Sequence, residues 1–135
     1  MWKDKAVMMV DDDMIDTMTV RRAFRELEIQ VSLVTAENGE EAIRYLEEAN
    51  DKPGLILLDL NMPVMNGVEF LGRVKSDPDL RRIPVVVLTT SREMEDRQEC
   101  FGHSVAGYMV KPIDYADFKE LMRTIDQYWS RSEAL

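Results

Sequence analysis

The chain has 135 residues, with 17 Lys+Arg against 26 Asp+Glu and a formal net charge of −9, a length that fits a single domain. Apolar residues at 45% and charged residues at 32% mark a globular chain rather than a disordered one, and the acidic balance leaves no basic face for a nucleic-acid partner. No apolar run approaches the ~20 residues of a membrane span, while the lone Cys100 and lone His103 leave no internal disulfide and no cysteine or multi-histidine metal cluster, as fits a reducing cytoplasm.

In chain order, Met1–Lys5 lead straight into a strand-like run, Ala6–Val10, with no signal-peptide pattern. Val20, Ala23, Phe24 and Leu27 then recur at helical spacing and predict a first helix. Val31–Val34 reads as the second strand. Asn38-Gly39 followed by Glu40 and Glu41 opens a second helix with acids at its positive end, its stripe being Ala42, Tyr45, Leu46 and Ala49. Pro53-Gly54 stops the chain before the third strand, Leu55–Leu58, and Asp77-Pro78-Asp79 closes the third helix. Pro84 introduces the fourth strand, Val85–Leu88. A fourth helix over Arg92–His103 has only Met94, Cys100 and Phe101 for a stripe, so either it is weakly held or its boundaries are wrong. Val105–Val110 is the fifth strand, Phe118, Leu121, Met122 and Ile125 mark the fifth helix, and Ser130–Leu135 reads as a short tail.

Strand and helix alternate without hairpin signals, which predicts an α/β fold with a doubly wound, five-stranded parallel sheet and five flanking helices. The first, third and fourth runs are continuously apolar, as strands covered on both faces must be. The second and fifth are interrupted, by Ser32 and by Ala106-Gly107, which suits edges. The order 2-1-3-4-5, flavodoxin-like, puts those two outside.

Ligands in such a sheet gather beyond the carboxyl ends of the strands. Asp11, Asp12 and Asp13 follow the first strand, Asp59 the third, Thr89, Thr90 and Ser91 the fourth, and Lys111-Pro112 the fifth. Asp13 is expected to cap the first helix. Capping explains one acid per helix, so Asp11, Asp12 and Asp59 need another account. Carboxylates ~4 Å apart repel by about 4 kcal/mol at an effective dielectric of ~20. They must take up protons or bind a cation, and hard oxygen ligands favour Mg²⁺. A metal-bound carboxylate such as Asp59 can attack phosphorus, with Lys111 and the Thr89 hydroxyl placed to receive the transferred group. Met8, Met9, Met62 and Met109 read as adaptable core filler rather than ligands.

The segments MMVDDD (8–13), LLDLNMPVMNG (57–67), VVLTTS (86–91) and GYMVKP (107–112) together resemble the receiver domain of bacterial two-component response regulators, stand-alone and chemotaxis-receiver-like, and the resemblance implies one receiver domain with its core over about 4–129 and no output domain. The phrasing of Asp59–Ser91 further resembles receivers that partner phytochrome-type sensor kinases. The resemblance implies Asp59 as phosphoacceptor and Mg²⁺ held by Asp11, Asp12, Asp59 and the backbone carbonyl of Asn61. It implies Thr89 and Tyr108 as the switch pair, Lys111 as the phosphoryl partner, and a cis bond before Pro112. Ser91 and Asn61 fall at positions that influence how fast the phosphoryl group is lost. Asn66-Gly67 fits a tight turn, since glycine tolerates positive φ. FGHSV (101–105) departs from the family's Gly-Ala pattern at the exit of the fourth helix.

The implied function is a phosphorylation-controlled switch that promotes only its own phosphorylation and dephosphorylation. It would be fed by a sensor histidine kinase or histidine phosphotransferase and would signal through a target protein or a homodimer at the fifth-helix face. Three rivals carry sequence-level tests. A haloacid-dehalogenase-type phosphatase would also open on Asp11-x-Asp13, but Ile15 stands where it wants Thr. A flavin carrier would not place three Asp against the flavin phosphate. A scaffold receiver would have no use for the intact acid set.

Overall fold

A computed structural model describes residues 5–132; the first four residues and the end of the expected tail, 133–135, lie outside the described residues. The elements are β1 (Val7–Val10), α1 (Met14–Glu26), β2 (Leu33–Ala36), α2 (Gly39–Glu48), β3 (Leu55–Leu58), α3 (Gly67–Ser76), β4 (Val85–Thr89), α4 (Met94–Gly102), β5 (Gly107–Val110) and α5 (Tyr115–Arg131). All strand pairs are parallel and the order is β2-β1-β3-β4-β5, the expected one.

Every residue of β1, β3 and β4 is buried, whereas β2 and β5 are largely half-buried. The two-residue period of a strand divides these runs between two cores. Met8, Val10, Ile56, Leu58 and Val87 pack with Leu46, Phe70, Leu71 and Cys100 from α2, α3 and α4. Val7, Met9, Leu57 and Leu88 pack with Phe24, Phe118 and Met122 from α1 and α5. At ~1.5–3 kcal/mol for each fully buried aliphatic side chain, this double core makes the strand ends a rigid platform. Met8, Met9 and Met62 are buried in it, as filler should be.

Side-chain caps start four of the five helices. Asp13 accepts from the Ile15 N–H, Asn38 from Glu41, Asp114 from Ala116, and Asn66 forms a reciprocal box with Glu69. Each is worth ~1 kcal/mol. Glu93, at the start of α4, makes no such bond, and the helix buries only Cys100. The expected weak hold on α4 is thus visible at both its cap and its face.

Several boundaries differ from expectation. β2 begins at Leu33 instead of Val31, because the chain spends residues after α1 turning back: Glu28 is left-handed (φ 56°) and the Ile29 N–H bonds to the Phe24 carbonyl. The buried face of α2 is Gly39, Ala42, Ile43 and Leu46, leaving Tyr45 exposed and Ala49 as the C-cap. β5 starts at Gly107; Val105 is buried before the strand, and the Ala106 N–H bonds to the Val85 carbonyl. α4 is shorter at both ends than Arg92–His103, and Ser104 turns left-handed (φ 59°) to end it. Ser130 and Arg131 belong to α5 rather than to a tail.

Candidate functional site

The backbone ladder runs one residue past the strands and fixes the side chains at their ends. Val10 pairs with Leu58, and the Asp59 N–H donates to the Val10 carbonyl at 2.9 Å. The Asp11 N–H donates to Ala36 O at 3.0 Å and the Lys111 N–H to Thr89 O at 2.8 Å. Asp11, Asp59, Thr89 and Lys111 are therefore set by sheet hydrogen bonds, not by loop conformation.

The expected convergence is present. Asp11, Asp12 and Asp59 each offer a carboxylate oxygen within 4.8 Å of the others. Asp11 and Asp59 are buried and Asp12 is exposed at the mouth. Lys111 Nζ lies 2.8 Å from Asp11 Oδ2 and 3.8 Å from Asp59 Oδ2, an ion pair but too long for a hydrogen bond to the latter. One partner was not foreseen. Asp16, in the first turn of α1, places Oδ2 2.6 Å from the same ammonium. It escapes a search of strand ends because it lies one helical turn beyond them; the available signal was an acid in the first turn of the helix that follows the acidic run.

Burial is the main cause that raises the Asp11 carboxyl to about 6, against the opposing pull of the Lys111 hydrogen bond and the Asp13 N–H. Burial likewise raises Asp59, opposed by the Lys111 charge, the Thr89 hydroxyl and the Asn61 and Leu60 N–H groups. Burial alone would depress Lys111, but its bonds to Asp11 and Asp16 outweigh it and leave the ammonium more firmly protonated than usual. One lysine does not offset the crowd of acids. All-oxygen donors at this separation fit a hard divalent cation.

The other singled-out residues surround this centre. Thr89 is fully buried, its Oγ1 accepting from the Ser91 N–H at 3.3 Å. Ser91 Oγ donates to Asp96 Oδ2 at 2.5 Å, tying the β4 end to the first turn of α4. Tyr108 is half-buried and its hydroxyl donates to the Ser91 carbonyl at 3.0 Å. Asn61 is exposed, two residues beyond Asp59, with its N–H toward that carboxylate.

Two expectations need correction. Gly67 does not adopt positive φ. Glycine is required there because a Cβ would lie 2.6 Å from both the Asp59 carbonyl oxygen and Leu60 Cα. The Lys111–Pro112 bond is trans, as are all peptide bonds among the described residues; trans is the lower isomer by about 0.5–1 kcal/mol, and the chain reaches the Asp114 cap without the other.

A buried acid pair with a third acid at its rim and a lysine just past the last strand, at the carboxyl edge of a 2-1-3-4-5 sheet, define a doubly wound α/β domain with a candidate divalent-cation centre. The response regulator receiver domain family matches residues 7–123, and the chain belongs to it. Its relatives include small, single-domain response regulators. Response regulator Rcp1 of Synechocystis sp. is 32% identical over 136 residues, covering 97% of this chain and 92% of that protein. The crystal structure of the phosphorylated cyanobacterial phytochrome response regulator RcpA superposes with a TM-score of 0.90 at 32% identity, covering 96% of this chain and 97% of that one. The Mn²⁺-bound form of Rcp1 superposes with a TM-score of 0.87, also at 32% identity, over 97% and 98% of the two chains. Receiver domains bind a divalent metal, and the Asp11, Asp12 and Asp59 set fits one.

Proposed function

We propose that this chain is a single-domain phosphorylation switch in which Asp59 accepts a phosphoryl group from a phosphohistidine. The carrying observation is the meeting of Asp11, Asp12 and Asp59 within 4.8 Å beside a lysine that reaches Asp59 at 3.8 Å. Asp11, Asp12, Asp59 and the Asn61 carbonyl would hold Mg²⁺, which when bound supplies positive charge against the phosphoryl oxygens. A carboxylate oxygen of Asp59 attacks phosphorus, the P–N bond breaks, and its electron pair stays on the donor imidazole. Lys111 and the Thr89 hydroxyl then offer hydrogen bonds to the new dianion. The charge transferred favours one packing over another only by making contacts the other lacks. Here those contacts draw Thr89 away from the Ser91 N–H, and Tyr108, held on the Ser91 carbonyl, follows. α4, uncapped and thinly buried, is the element that yields.

The phosphoryl donor in this reading is a sensor histidine kinase or histidine phosphotransferase acting in the cytoplasm. The likeness to Rcp1 and RcpA points to a phytochrome-type sensor. Support for a protein donor comes from the mouth of the site. Met14, Ile15 and Met18 of α1 and Ile113, two residues after Lys111, are all exposed. A groove of about 300 Å³ runs from Asp11 and Asp12 along Met14, Met18 and Arg21. Output passes through a target protein or a homodimer formed on the α4–β5–α5 face. The chain turns over no separate substrate.

Incubation with acetyl phosphate and Mg²⁺ tests the reading. One phosphoryl group per chain is expected in the wild type, with none in Asp59→Asn and none when the metal is chelated. Full labelling of Asp59→Asn, or continuous turnover of a generic phosphate ester, would overturn it in favour of a different acceptor or of a phosphatase.

A further inference from the structure

Lys111 is shared among three carboxylates, and the way it divides itself is informative. An ammonium has three donors. Two are spent, on Asp11 Oδ2 at 2.8 Å and on Asp16 Oδ2 at 2.6 Å, while Asp59 stands off at 3.8 Å. Asp16 lies outside the trio that converges on a cation. It reaches Lys111 from another element, the first turn of α1, whose start is pinned by the Asp13 cap.

We propose that Asp16 is a positioning residue that holds Lys111 back from Asp59 in the resting protein and so sets how readily the pocket takes a phosphoryl group. The inference rests on the proposed function above. Two bonds this short fix the ammonium 3.8 Å from Asp59, and carrying it to a phosphoryl oxygen there stretches one of them. The Asp16 carboxylate is 27% exposed against 1% for Asp11, so water can replace the lysine at Asp16 and not at Asp11. The Asp16 bond is the one exchanged. Asp16 also adds a negative charge that an incoming dianion must approach. Both effects act in one direction: the resting state is favoured and phosphoryl occupancy is opposed.

The test is the affinity of the whole chain for beryllofluoride, a phosphoryl mimic, measured by fluorine NMR in saturating Mg²⁺, with thermal unfolding of each variant recorded in its absence. Asp16→Asn keeps the shape and removes the charge; Asp16→Ala removes both partner and charge. Each is expected to bind roughly tenfold more tightly than wild type, the equivalent of about 1.4 kcal/mol. Asp16→Glu keeps the charge and is expected to stay near wild type. Unchanged or weaker binding by both neutral variants, with wild type binding normally, overturns the role of Asp16 while leaving the switch intact. Failure of the wild type itself to bind beryllofluoride overturns the proposed function, and this inference with it.

Discussion

Replacing Gly67 by alanine puts a methyl group where no side chain fits. The new Cβ would sit 2.6 Å from the Asp59 carbonyl oxygen and from Leu60 Cα, and this approach must open to 3.4 Å, about 0.8 Å of movement, before the contact is ordinary. Neither neighbour can swing aside, since both are backbone, and the Gly67 N–H is bonded to the Leu60 carbonyl at 2.9 Å. Overpacking of this kind costs typically 1–3 kcal/mol. Alanine's better helix propensity returns less than ~1 kcal/mol in a first turn, so a net loss of about 1–2 kcal/mol is expected. With a urea slope of ~1–3 kcal/mol/M, the unfolding midpoint should fall by roughly 1 M with the slope unchanged. The backbone that retreats is that of Asp59, so Mg²⁺ affinity should fall as well, by about tenfold. Urea titration followed by circular dichroism and calorimetric metal titration read the two effects separately. An alanine variant with wild-type stability and wild-type metal affinity would refute the steric account of this glycine and the claim that it fixes the acceptor.

Three further outcomes are expected. In metal-free protein the Asp11 carboxyl titrates near pH 6 instead of 3.8, jointly with Asp59, which is raised too. The folded state then holds a proton the unfolded chain has released, so this group's stability contribution is full below about 3.8 and is lost as pH rises through about 6. Cation affinity runs oppositely, growing across that range as binding expels the proton; carboxyl-carbon NMR showing Asp11 titrating at the ordinary value would contradict both. Val64 is a β-branched residue at φ 67° with its side chain exposed. Val64→Gly relieves ~1–2 kcal/mol of left-handed strain and costs ~0.4–1 kcal/mol in unfolded-state entropy, so a small rise in thermal midpoint is expected, and a fall would count against strain there. Ser91→Ala removes the bond to Asp96 that tethers α4 to β4; amide exchange in 94–102 should quicken while that of α1 and α5 stays unchanged, and uniform protection would show that the tether is idle.

Much of this was legible in the sequence where a pattern is set by a short-range rule. The continuous apolar runs of β1, β3 and β4 announce strands covered on both faces, and the break at Gly107 announces an edge, whereas Ser32 falls just before β2 and marks no break within it. The acids at 11, 12 and 59 and Lys111 are readable because a parallel sheet delivers its strand ends to one side. Less legible were features decided by close approach between distant segments. Nothing local says that Gly67 must clear the Asp59 backbone, and its lack of positive φ defeats the usual reading of glycine. Asp16 looks like one more first-turn acid until the chain leaving β5 brings Lys111 beside α1. β2 could not be placed to the residue, since the left-handed turn at Glu28 has no Gly or Asn to mark it.

The central claim is that Asp59, and neither of its acidic neighbours, takes the phosphoryl group. Acyl phosphates are reduced by borohydride, so treating the acetyl phosphate-labelled, Mg²⁺-loaded chain and sequencing its peptides by mass spectrometry locates the modified side chain. Reduction at position 59 and nowhere else is the expected result. Reduction at Asp11 or Asp12, or an unmodified chain, would contradict the account.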